Sequence, residues 1–344
     1  MYKTSNKLYF LSGILAVLLL YGCSADDTPV IPPGDTVPVR FEINSDSLAY
    51  TRAPGDAVLS VNRILLLPFK KTNESATNDA VNFVPDFNAA KQFDINSFPV
   101  VATMLNLSAA STYQVVAIGY NRNDFDFKNQ NNPSRRFSIG PTASATMANL
   151  YLQPTNVTSV PEFFSCIGNG YQKNGTMVGR YFKPGDINYI QGNMKRIVSG
   201  MTLTINNIPG FVNSVSLSAE NLVNTISPVD GTPLSAQTTG DGGTRLLDTK
   251  IPASNTVTFN RYMLATLDMY KSLFYLDVAY GLLTDRYTLK IADNSGIVSG
   301  NRITFTPNHW VRITGDYANI NIGFTISDNV NLDDNLWDGI QTYN

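Results

Sequence analysis

Charge and metal-binding side chains are scarce in this chain of 344 residues. Histidine occurs once, cysteine twice, and charged residues make up 15% against about 25% in an average domain. One histidine and two cysteines are too few for a zinc site, which draws on several such ligands. His309 stands in Thr306-Pro307-Asn308-His309-Trp310 with no G-x-S-x-G elbow to complete a hydrolytic triad. The carboxylates Asp328, Asp333, Asp334 and Asp338 lack EF-hand spacing. Gly240, Gly242 and Gly243 lack the strand-to-helix setting of a phosphate loop. With a net charge of −2, no basic field draws nucleic acid to the surface. The chain is therefore expected to be no enzyme and to hold no metal or cofactor. A membrane-spanning run is missing too: the longest apolar stretch, Leu8 to Tyr21, covers 14 residues, short of the ~20 that cross a bilayer as a helix.

That short stretch instead follows Lys3 and Lys7 and has the form of a secretory signal, with a charged start and an apolar middle. It ends in Leu20-Tyr21-Gly22-Cys23, which resembles the lipobox of bacterial lipoproteins. The resemblance implies that residues 1–22 are removed as a signal peptide and that Cys23 is acylated. Two or more acyl chains hold a protein firmly to a membrane where one does not. Ser24 after the cysteine favours the outer membrane, and Ala25-Asp26-Asp27 resembles the acidic signal that carries lipoproteins of the Bacteroidota to the cell surface. With Cys23 acylated, Cys166 has no partner within the chain and is expected to be a buried small hydrophobe.

Residues 23–38 carry Pro29, Pro32, Pro33 and Pro38 and are expected to form an extended tether. Beyond them the pattern is that of strands. Val39, Phe41 and Ile43 alternate with Arg40 and Glu42; the runs at 61–69 and 113–120 are continuously apolar, as strands buried on both faces are. In the second half Met201, Leu203 and Ile205 share a face, as do Val215, Leu217 and Ala219, and Phe274, Leu276 and Val278. Ile320, Ile322, Phe324 and Ile326 alternate in the same way. No capped helical stripe and no repeat of 20–50 residues appears. The fold class is all-β. Two β-sandwiches are expected, over residues 39–190 and 191–344, the second with a last strand free to serve its own domain or a neighbour.

Lipobox, acidic doublet, Pro-rich tether and two β-rich halves together resemble the fimbrial subunits of the Bacteroidales, in particular the fimbrillin-associated anchor lipoproteins. Carrying segments are Asn62–Phe69, Val115–Asn121, Arg196–Met201, Leu276–Gly281 and Asn308–Ile313. The resemblance implies two tandem transthyretin-like β-sandwiches in a lipid-anchored outer-membrane pilus subunit, most simply the anchor. Its partners would be outer-membrane lipid, through acylated Cys23, and other fimbrial subunits, through β-strand exchange. The strand-exchange candidates are Ile320, Ile322, Phe324 and Ile326; the stretch with Leu336, Trp337 and Ile340 is the other contact candidate. Arg52-Ala53, after the first strand, fits the site at which an Arg-specific protease trims shaft subunits, a cut that anchors escape. A surface lipoprotein that binds glycan for a polysaccharide uptake system is the alternative reading, since Trp310, Trp337 and several tyrosines offer aromatic surface.

Overall fold

The computed structural model describes residues 35–44, 61–96, 100–236, 243–292, 298–300, 302–321 and 323–331. All regular structure among them is β-strand, apart from short 3-10 turns. The first half builds one long sheet. Its neighbours run Phe83–Pro85, Arg63–Lys71, Tyr113–Tyr120, Phe164–Tyr171, Tyr189–Asn193, Thr36–Asn44 and Val100–Ser108. The inward side chains of these strands, among them Ile64, Leu66, Val115, Ala117, Ile190 and Leu105, meet in one cluster, so the sheet is rolled around a core.

Tyr113–Tyr120 is buried at all eight positions. Val115 and Ala117 face the rolled core, whereas Val116, Ile118 and Tyr120 face a second cluster with Phe137, Leu152 and Ile226. An apolar partner on each face removes the alternation that a half-exposed strand shows. That second layer is a four-stranded sheet, ordered Pro233–Ala236, Val223–Ile226, Tyr151–Pro154, Phe137–Gly140. Two of its strands come from each half of the chain, so the halves share a core as well as a border.

Thr36–Asn44 lies inside the first sheet, parallel to Tyr189–Asn193 and antiparallel to Val100–Ser108. Its start corrects the expected tether boundary: residues 36–38 are strand. They pair with Val100–Ser108 alone, because the parallel partner begins only at the Arg40–Tyr189 pair. An edge position tolerates Pro38, which has no N–H to offer a second neighbour. Further along, Phe41 presses on the sheet at Gly168, where a Cβ would overlap the Phe41 ring and Ile190.

The other described strands from Val198 onward form a sandwich. One sheet contains Val257–Leu264, Val198–Asn206, His309–Asp316, Phe324–Asn331, Ile291–Ala292 and Val298–Gly300; the other contains Arg245–Lys250, Ser214–Glu220, Ser272–Tyr280 and Leu283–Thr288, with Arg302–Ile303 alongside. Met201, Leu203, Val215, Leu217, Phe274, Leu276 and Val278 fill the space between them, on the faces their alternation predicts. Tyr189–Asn193 and Lys195–Arg196 both pair with Phe164–Tyr171 in the first sheet, so the border between the sandwiches falls after Arg196 rather than at 190.

A buried ion pair occupies that border. Glu162 Oε1 accepts from Arg196 Nε at 2.8 Å, and lies 2.6 Å from Arg196 Nη2. The guanidinium sits 4.9 Å from the Phe164 ring centre and 6.0 Å from that of Tyr262. Tyr262 donates to Glu162 at 3.1 Å and meets Trp310 edge to face. Trp310 donates to Thr202 at 2.8 Å and lies flat over Gly200, where any Cβ would overlap the indole. Side chains from both halves thus form one continuous contact. Arg196→Ala is expected to lower stability by about 3–5 kcal/mol by leaving the carboxylate buried without its guanidinium. The double variant Glu162→Leu/Arg196→Met is expected to lose much less, and urea unfolding of both variants checks this.

Candidate functional site

Cys23, Arg52, Ala53 and Ile322 lie outside the described residues. The other strand-exchange candidates, Ile320, Phe324 and Ile326, do not lie on one strand. Asp316 accepts from the Ala318 N–H at 2.9 Å and caps a 3-10 turn, Tyr317–Asn319, so the strand starts at Phe324 and not at Ile320. Ile320 is 6% exposed and Phe324 1%; both belong to the core of the second sandwich, and Ile326 packs against it. Phe324 covers Gly315, where a Cβ would overlap its ring. Phe324–Asn331 is paired along His309–Asp316 and along Ile291–Ala292. These side chains are already used by their own domain.

The first strand is placed differently. Val39, Phe41 and Ile43 are 1%, 0% and 0% exposed, deep in the rolled core. Both backbone edges are paired over residues 40–44. In sequence, however, Thr36–Asn44 is the first of the described strands and is separated from Arg63–Lys71 by the stretch that contains Arg52. At ~1.5–3 kcal/mol per buried large apolar side chain, Val39, Phe41 and Ile43 together contribute roughly 5–9 kcal/mol gross. The alternation of the strand fixes its register, because a slip of one residue would exchange these for Arg40 and Glu42.

The border between the halves holds a recess of about 540 Å³, lined by Asn169, Gln191, Lys195, Asp230, Asn308 and His309 among others. His309 is the one residue of this set that the sequence pointed to. Its Nδ1 lies 2.8 Å from the Pro307 carbonyl oxygen. A carbonyl only accepts, so Nδ1 carries the proton, and the ring is held by backbone instead of by a carboxylate. Among the described residues no group of three or more His, Cys, Asp and Glu is arranged to hold a metal, and no helix is long and apolar enough to cross a membrane. Cys166 borders the recess but is only 6% exposed. Burial pushes its thiol up to about 12, which keeps it protonated and unreactive at neutral pH. The recess had no signal in the sequence, since its walls come from four separate segments between Ser165 and His309.

No family model matches the sequence, and no curated protein sequence matches it. Solved structures do. The chain is similar to the fimbrial anchor protein Mfa2 from Porphyromonas gingivalis at 12% identity and a TM-score of 0.43, over 86% of this chain and 97% of that one. It is similar to the tip fimbrial protein Mfa3 from Porphyromonas gingivalis at 13% identity and a TM-score of 0.35, over 81% of this chain and 94% of that one. A Bacteroides ovatus protein described as a candidate adhesin is similar at 11% identity and a TM-score of 0.45, over 78% of this chain and 86% of that one.

The thiol gives a direct check on the packing around the first strand. Cys166 is expected to resist iodoacetamide at pH 8 in the folded protein and to react fully in urea, as followed by intact mass. The substitution Phe41→Ala, which opens a cavity beside Gly168, is expected to cost about 3–5 kcal/mol and to speed that labelling.

Proposed function

We propose that this chain is a non-enzymatic fimbrial subunit of the cell surface, the lipid-anchored base of its pilus. Acylated Cys23 holds it to the outer membrane, and β-strand exchange joins it to other fimbrial subunits. The observation that carries the reading is the position of Thr36–Asn44. A strand that is paired on both sides yet comes first among the described strands is a separable piece. Were it lost, Val100–Ser108 and Tyr189–Asn193 would each present an unpaired edge, above a groove walled by Leu105, Leu107, Phe164 and Ile190. Such a groove takes an extended segment from another chain, whose main chain satisfies the edges and whose alternate side chains fill the core.

In an anchor the piece stays. The strand that closes the groove is continuous with the tether and the lipid, so the groove remains full and the chain adds no subunit on that side. Cleavage at Arg52-Ala53 would release lipid, tether and strand together and turn the same fold into a shaft subunit. The contact that an anchor makes therefore comes from elsewhere. Ile320, Phe324 and Ile326 are used within their own sandwich, which leaves the stretch after Asn331, with Leu336, Trp337 and Ile340, as the donor to a neighbouring subunit.

Intact mass of the chain taken from native envelopes tests both statements. The expected product begins at a Cys23 that carries two or three acyl chains and retains Arg52. A product that begins at Ala53 would make it a shaft subunit, and an unprocessed chain in the cytoplasm would refute surface anchoring altogether. Heating solubilised envelopes only mildly before electrophoresis is expected to preserve a ladder of this chain with other subunits, and truncation after Asn331 is expected to abolish it.

A further inference from the structure

The outward face of the first sheet, with the recess beside it, has the chemistry of a saccharide-binding surface. Because Val39, Phe41, Ile43 and Ile190 point into the core, their neighbours in each strand point out. The register then sets those outward side chains in rows across the strands. One row places Met177 beside Tyr171, Tyr171 beside Tyr189, and Tyr189 beside Arg40. The next places Asn169 beside Gln191 and Gln191 beside Glu42. Gln114 extends this second row, one residue beyond the Val115–Gly168 pair.

We propose that this face binds a neutral oligosaccharide, laid across the strands along the amide row with its end in the recess at the domain border. Three features select that class of ligand. Amide side chains both donate and accept, as sugar hydroxyls do. No hydrogen bond within the described protein engages the side chains of Asn169 or Gln191. Beside them, the Tyr171 and Tyr189 rings stack at 5.0 Å with planes 5° apart. Together they form a ridge of apolar ring surface of the kind that the C–H faces of a sugar cover. Arg40 and Glu42, at the open end of the rows, pair with each other at 2.9 Å. An extended peptide would seek a sheet edge rather than a face.

A second, independent observation lies at the far end of the amide row. Gln114 is 1% exposed, and its Oε1 has no hydrogen-bond partner. It lines a cavity of about 460 Å³ with Asn78, Tyr181, Ser227 and Thr232. A buried amide oxygen without a donor costs about 1–3 kcal/mol unless something in the cavity donates to it. Ile167, Val229 and Asp230 border both this cavity and the larger recess. The two are therefore neighbouring hollows beneath the same loop, 227–232, which the second half of the chain extends over the first sheet. From Gln114 to Glu42 the row crosses four strands, about 14 Å at the usual strand spacing, the reach of a short oligosaccharide.

The full-length chain, purified in detergent, can be tested on an array of neutral hexasaccharides of the gluco, manno, galacto and xylo series, followed by titration calorimetry of any that bind. At least one series is expected to bind, and Asn169→Ala/Gln191→Ala is expected to weaken it at least tenfold with an unchanged melting temperature. Tyr189→Ala is expected to weaken it to a similar degree, and Leu282→Ser, at the opposite pole of the second sandwich, to leave it unaltered. Failure of every neutral hexasaccharide to bind at millimolar concentration would overturn the proposal. So would unchanged affinity in the double amide variant, or a preference for sulfated chains over neutral ones. The assembly reading stands or falls separately, since subunit ladders and saccharide titration are independent measurements.

Discussion

The pairing of Arg196 with Glu162 is the constraint on which the arrangement of the two sandwiches rests. Both groups are almost fully removed from water, with side-chain exposures of 0% and 7%, and a buried charge without its counterpart is strongly unfavourable. Arg196 stands in the short strand Lys195–Arg196 that ends the first sheet's share of the chain, while Glu162 lies just before Phe164–Tyr171. The pair closes because Lys195–Arg196 runs back along Phe164–Tyr171, with Arg196 opposite Phe164. Tyr262 and Trp310 can then close over the pair only if the second sandwich packs at one angle. The recess walled by Asn169, Gln191, Asn308 and His309 is a consequence of that packing.

A shared layer reinforces the same junction. Val223–Ile226 and Pro233–Ala236 leave the second half to pair beside Tyr151–Pro154 and Phe137–Gly140. They cover the outer face of the strands whose inner face holds Thr36–Asn44. The first strand is thus received by a sheet that is braced from behind by another part of the chain. The polar face with Tyr171, Tyr189, Asn169 and Gln191 is the portion of that same sheet which the second layer leaves uncovered.

Much of this was legible in the amino-acid order. The alternation of Val39, Phe41 and Ile43 predicts a strand with one buried face, and the structure has it. So do Met201–Ile205, Val215–Ala219 and Phe274–Val278. The unbroken apolar run at 113–120 predicts a strand buried on both sides, and both sides are covered. Where the pattern misled, a local competitor was responsible. Ile320 continues the alternation of Phe324 and Ile326 but sits in a turn, because Asp316 offers the backbone a cap that alternation does not register. Pro38 reads as tether, yet it is strand, because its missing N–H falls where the strand has a neighbour on one side only.

Sequence alone determined the all-β class, the buried faces of the alternating strands and the two-sided burial of the run at 113–120. All of these depend on neighbours within a few residues, where the period of two and the chemistry of single side chains act directly. Tertiary structure decided the parallel pairing of the first strand with Tyr189–Asn193, the exchange of strands between the halves, the Glu162–Arg196 lock and the amide row of Gln114, Asn169 and Gln191. These join residues 22 to 149 positions apart in the chain. Strand pairing over such distances is selected by the burial of whole faces at once, and no local pattern of residues encodes which faces will meet.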